Sequence, residues 1–203
     1  MNTKENRQKM GEIMFETFHI PKLFIAKKLA LPLYSQYYNS GLMIDFGNDI
    51  ITIAPILEGY YLLPIETYHV PSYSPFFEPN IIEKMSNRIQ SYDFDIRKEL
   101  TRCIYLYGTP SRIQRISDQI SHKYYYMYGD SKKDQGISEQ FTKIIQGLIP
   151  RCYEYVKVII LPENTFPIWE GALQLSNILS KNDWVSKNEY EEMGSVIIRR
   201  KCF

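Results

Sequence analysis

Two glycine turns carry the residues whose types could do chemistry. The first is Asp45-Phe46-Gly47-Asn48-Asp49, set between the apolar runs Leu42–Ile44 and Ile50–Ala54. Gly-Asn-Asp between two apolar runs signals a β-hairpin. A tight turn of this kind cradles a phosphate when its residues are small and its N–H groups point inward. The ring of Phe46 and the second carboxylate of Asp49 oppose steric access and anion binding. The other turn is Tyr107-Gly108-Thr109-Pro110. Pro110 suits the first turn of a helix capped by Thr109. Gly47 and Gly108 therefore read first as structural turn glycines. Cys103, Cys152 and Cys202 show no metal-ligand spacing and read as reduced thiols. Nothing near Cys202 in sequence lowers its pKa. The cluster Tyr124-Tyr125-Tyr126-Met127-Tyr128 is an interface candidate, because a tyrosine ring is apolar and its tip polar. A loop packed on its own protein is the alternative.

The elements that would position these residues follow from periodicity. Met10, Ile13, Met14 and Phe18 recur at helical spacing over 4–18, and Phe24, Ile25, Leu29 and Leu33 continue an apolar stripe after Pro21. Residues 41–55 read as two strands and their turn. The prolines of 62–79 mark a loop or an extended crossing segment. Asn80 is a plausible cap for a helix with Ile81, Ile82, Met85 and Ile89 on one face. Asp95–Leu100 reads as a short helical turn and Cys103–Tyr107 as a strand. Ile113, Ile116 and Ile120 share a helix face; so do Ile137, Phe141, Ile144, Ile145 and Leu148. Tyr155–Leu161 is a strand, and Ile168, Ala172, Leu175 and Leu179 mark a last buried helix face. Helix, hairpin, helix, strand, helix, helix, strand, helix predicts an α/β layer fold.

The bulk numbers set outer bounds. At 203 residues, 44% apolar and 23% charged, the chain can bury a substantial core as one large domain or two small ones. A net charge of +1 offers no field for nucleic acid or an anionic membrane. No stretch approaches the roughly 20 apolar residues of a membrane span, and no secretory leader is evident.

The stretch from Trp184 to Phe203, WVSKNEYEEMGSVIIRRKCF, resembles the C-terminus of actin. The resemblance extends through the chain in order. Asn6–Phe18 with Pro21, Leu33-Tyr34, Asp45–Asp49, Pro55–Tyr60 with Leu63-Pro64, Asp95–Leu100, and Pro162-Glu163 with Trp169-x-Gly171 each resemble an actin segment. It implies an α/β, partial actin-like fold of the ribonuclease H-like superfamily that includes actin and Hsp70 ATPase domains. That fold would lack the N-terminal strands and the upper part of the large lobe. Residues 1–40 and 166–203 would form the small-lobe part. Residues 41–165 would form a reduced large lobe with a Tyr-rich insertion at about 114–135. The first third of an actin, with its first phosphate loop, has no counterpart, nor does a block between Leu63-Pro64 and about Phe77.

What the resemblance implies for chemistry turns on substitutions. Asp45 stands at the carboxylate position that holds Mg²⁺ through water, Lys28 at the glutamine position and Thr52 at the histidine position that orient the attacking water. A lysine cannot accept a hydrogen bond from water. Phe46 replaces a small residue, Asp49 a later glycine, and Thr165 a lysine. Gly108 alone remains of the adenosine-loop glycines. The expectation is an absence of catalytic residues and metal ligands, with Asp45, Gly47, Asn48 and Gly108 as vestiges of nucleotide binding. No cofactor is expected unless a partner chain completes the site for ATP and Mg²⁺. Tyr34, Leu175 and Ile178 resemble the cleft where actin partners lay a helix; with Tyr124, Tyr125, Tyr126 and Tyr128 they make up the expected interface. Met14, Phe18, Leu29, Trp169 and Leu173 should face outward and be covered by other protein subunits, actin or actin-related proteins among the candidates. The expected role is a non-catalytic structural subunit of a cytoskeletal or motor-associated assembly in the cytoplasm. The alternatives are an ATP-binding protein completed by another chain and a nuclear actin-related subunit of a chromatin complex.

Overall fold

The structure, a computed structural model, describes residues 3–47, 49–69, 81–108, 117–118, 120–121, 123–125, 127–128, 136–149, 156–160 and 166–202. Among the described residues, its bounded α-helices are α1 (Lys4–Glu12), α2 (Leu31–Ser35), α3 (Ile81–Gln90), α4 (Phe94–Thr101), α5 (Ile137–Leu148), α6 (Pro167–Ile178), α7 (Lys187–Met193) and α8 (Val196–Lys201). Its strands are β1 (Lys22–Leu23), β2 (Gly41–Phe46), β3 (Ile50–Leu57), β4 (Tyr60–Tyr61), β5 (Glu66–His69), β6 (Ile104–Gly108), β7 (Val158–Ile160) and β8 (Val185–Ser186). The chain divides into two compact units, residues 1–35 with 167–203, and residues 36–166. No helix among the described residues is long and apolar enough to cross a membrane.

In the first unit, α1 starts where the Thr3 hydroxyl accepts a hydrogen bond from the Asn6 N–H at 3.1 Å. The helix continues as a π-helical turn, Ile13–Thr17, that carries Phe15 into the core. Phe15 stacks on Tyr190 with ring centroids 4.6 Å apart. The Tyr190 hydroxyl donates to Glu16 Oε1 at 2.7 Å, so this buried ring keeps its polar tip satisfied. Val185, Ile197, Ile198 and Cys202 complete the cluster. A Cβ at Gly11 would lie 2.7 Å from Ile198 Cγ1, which brings α1 close to α8. Gly171 has the tightest approach in this unit: a Cβ there would lie 1.7 Å from the Leu31 carbonyl oxygen. The Trp169-x-Gly171 pattern is thus a place where α6 meets α2 backbone to backbone. Strands β1 and β8 pair antiparallel, Lys22 with Ser186 and Leu23 with Val185.

The second unit is a mixed sheet in the order β4-β3-β2-β6-β7, with β5 also paired to β3. Strands β2 and β3 form an antiparallel hairpin; β2–β6 and β6–β7 are parallel. The apolar run Leu42-Met43-Ile44 of β2 is what a stretch buried on both faces requires; Asp45, next in the strand, is half-buried. On one face Leu42, Ile44, Phe46, Ile51, Ile53, Ile104 and Leu106 pack with Ile82, Met85 and Ile89 of α3 and Phe141, Ile144 and Ile145 of α5. Met43, Ala54 and Tyr105, registered together on the opposite face, are also buried, and α4 packs on β2 and β3.

Some expectations change. Within the Pro-rich stretch read as a loop or an extended crossing segment, Glu66–His69 is extended and paired: it is strand β5, bonded to the Ile50–Ile53 end of β3. The described residues of 117–128 are helical. The readings that rest on Pro71, Pro75, Pro79, Asn80, Thr109, Pro110, Ile113, Ile116, Cys152, Pro162, Glu163 and Thr165 lie outside the described residues.

Candidate functional site

Open α/β sheets present ligands at the carboxyl ends of parallel strands, where loops leave the sheet. In the second unit that end is the turn after β2 and the exit of β6. The register places one row of side chains across it: Thr67 on β5, Thr52 on β3, Asp45 on β2 and Tyr107 on β6. Side chains directly opposite one another in a sheet share a face. Asp45, Thr52 and Tyr107 are each half-buried.

The next row belongs to the interior. Phe46, opposite Ile51 on β3 and Gly108 on β6, is only 1% exposed and lies in the helix-covered core. This corrects the sequence expectation for Phe46, whose ring fills the core and does not obstruct a cradle. The physical reason is strand alternation, which sends neighbouring side chains to opposite faces. A Cβ on Gly108 would lie 2.5 Å from both the Cβ and the carbonyl oxygen of Phe46. Gly108 lacks a side chain because β2 needs that space. A Cβ on Gly47 would lie 2.9 Å from the Ile50 carbonyl oxygen, so the hairpin turn itself accounts for this glycine. Asn48 lies outside the described residues. In the first unit, Lys28 opens a 3₁₀ turn, Lys28–Ala30, and is exposed.

The tyrosine-rich segment separates by burial. Tyr124, 8% exposed, belongs to the core, which corrects its expected place at a surface. Its ring centroid is 5.1 Å from that of Tyr128, whose hydroxyl donates to the Lys143 carbonyl oxygen at 3.0 Å on α5. Tyr125 is 59% exposed, and Tyr126 lies outside the described residues. Tyr34 and Leu175 are half-buried in the first unit and Ile178 is exposed. Trp169, 73% exposed, stands with Phe18 and Leu173 among the large apolar side chains open to solvent, whereas Met14 and Leu29 are half-buried.

The actin family model matches residues 1–71 and 74–203. The chain belongs to the actin family. In this actin-family chain the break in the match falls inside the Pro-rich stretch after Leu63-Pro64, and the match continues through residues 114–135. Sequence reasoning singled out Asp45 and Thr52 but not Tyr107 or Thr67. Their place in the row depends on the parallel register of β2 with β6 and the edge pairing of β5 with β3. No local pattern specifies either pairing. The apolar run Ile104-Tyr105-Leu106 signals a buried strand but leaves its neighbour open.

Proposed function

We propose that this actin-family chain is a non-catalytic structural and interaction subunit of a larger cytoskeletal or motor-associated assembly, with nucleotide binding lost or vestigial. The observation that carries the reading is the row Thr67–Thr52–Asp45–Tyr107 at the carboxyl ends of the strands. Phosphoryl transfer of this type works by positioning and electrostatics, which needs a group to orient water and backbone N–H groups to hold phosphate. By the resemblance to actin, Thr52 and Lys28 stand where that family has the residues that orient water. Gly47 and Gly108 are each explained by a neighbouring strand's demand for space, which leaves neither as evidence for a ligand cradle. Asp45 is one carboxylate without the rest of that set, so no hydrolytic step is derived for it. Exposed Trp169, Phe18 and Leu173 support the interaction side of the proposal, because large apolar groups in solvent favour burial against a partner.

The direct test is phosphate release from ATP with Mg²⁺ by the purified chain, together with cross-linking and mass spectrometry in its native extract. The reading expects turnover no faster than buffer and recovery in a stoichiometric protein complex. Turnover that a Thr52→Ala change abolishes would overturn it. The retained, half-buried Asp45 favours one second reading, an ATP-binding protein completed by another chain. Turnover appearing only in the assembled complex would select that reading.

A further inference from the structure

The sheet of the second unit has another end, and it holds a cavity. The amino ends of β2, β6 and β7 converge there, and an open space of about 460 Å³ is lined by Tyr37, Tyr38, Asn39, Glu99, Arg102 and Lys157, among others. Small-molecule sites fall in this size range and combine ring surface with a few placed polar groups.

The frame around the cavity is fixed by backbone bonds. The Lys157 N–H donates to the Thr101 carbonyl oxygen at 3.1 Å, and the Lys157 carbonyl accepts from the Ile104 N–H at 2.8 Å. The Asn39 carbonyl accepts from the Gly59 N–H at 2.7 Å. The side chains then supply charge and ring faces. Lys157 Nζ lies 3.4 Å from the Tyr38 hydroxyl and 5.4 Å from the centre of its ring. Arg102 is held by Glu99 at 3.0 Å. Two cations against one carboxylate leave a single positive charge, which matches a monoanion better than a phosphate dianion. Tyr37 is the unusual residue. Its φ is +61°, a left-handed conformation that bulky residues rarely adopt, and its side chain is 83% exposed. Strain of that kind persists where surrounding structure enforces it and clusters at ligand sites. Here it displays an aromatic ring at the rim of a cationic cavity.

We propose that this cavity binds a carboxylate carried on a flat aromatic group, the carboxylate on Arg102 and Lys157 and the ring against Tyr37. A free aromatic acid and a peptide's C-terminal aromatic residue share that chemistry. The site lies at the opposite end of the strands from Asp45, and the proposal does not depend on the fate of the nucleotide site.

The test is an NMR titration of the ¹⁵N-labelled chain with N-acetylphenylalanine and, separately, its uncharged amide. The expected result is a saturable shift confined to residues 36–40, 99–102 and 156–158, with the amide weaker by about tenfold, the scale of a charge-assisted hydrogen bond. Lys157→Gln and Arg102→Gln should each weaken the acid by a similar factor while shifts elsewhere in the spectrum stay unchanged. Glu99→Gln should strengthen it, because Arg102 is then released from its partner. Tighter binding of Gly-Gly-Phe than of the acetylated amino acid assigns the source to a chain terminus; the reverse order assigns a free acid. Equal binding of acid and amide, acid binding indifferent to all three substitutions, or no saturable shift at about 10 mM, far beyond micromolar recognition, overturns the proposal.

Discussion

Glu189 accepts hydrogen bonds from Lys201 Nζ at 2.6 Å and from the Ser186 N–H at 2.9 Å. The Lys201 bond first, and the Ser186 backbone and hydroxyl after it, hold its carboxyl down at about 2, against an ordinary value of 4.5. A depressed folded-state pKa contributes stability that is present above the unfolded value and lost as pH falls through the folded one. Urea unfolding across a pH series should therefore show stability falling between about pH 4.5 and 2, and Glu189→Gln should flatten that slope. A variant with the same slope as the parent would remove Glu189 as its source. The thiols provide a second reading at this scale. Burial pushes the Cys103 thiol up to about 12, against an opposing pull from Lys157, and burial likewise raises Cys202, whose Sγ accepts from the Ile25 N–H at 3.3 Å. The thiolate is the reactive form. Alkylation at pH 8 followed by peptide mapping should leave Cys103 and Cys202 unmodified until denaturant is added.

Among the elements, β2 and β6 carry the strongest consequence. If Phe46 is a core residue, Phe46→Ser, which restores the small residue of the actin pattern, should cost about 3–5 kcal/mol, the usual range for removing a buried phenylalanine ring. It should not create MgATP binding. Gly108→Ala should cost about 1–3 kcal/mol through overpacking against Phe46. Denaturant titration checks both, and a neutral Phe46→Ser would mean the ring is not in the core. The helix faces of α3 and α5 were legible in the sequence: Ile82, Met85 and Ile89, and Phe141, Ile144 and Ile145, are buried as their spacing predicts. So was the β2–β3 hairpin, because its two apolar runs meet at Gly47. Strand β5 was not legible. Glu66–His69 has no apolar alternation and is a strand because its backbone bonds β3. The destination of Phe46 was not read from the sequence, which set its ring against a phosphate cradle. Strand alternation puts it on the face of Ile44, and the register with Gly108 shows that this face is closed.

At the scale of the whole chain, the actin family is established and the role within it is the proposal. Each of the two compact units has its own cluster of buried side chains. The exposed Trp169 and Leu173 on α6 should make the isolated protein self-associate or require a partner. Sedimentation velocity over a concentration series should show association, weakened in a Trp169→Ser, Leu173→Ser variant. A concentration-independent monomer would argue against an interaction surface there. The central claim, that the carboxyl-end row built on Asp45 is not a working nucleotide site, has a more direct test in isothermal titration of the purified chain with MgATP. The account predicts no saturable heat into the millimolar range, whereas a micromolar dissociation constant abolished by Asp45→Asn would contradict it.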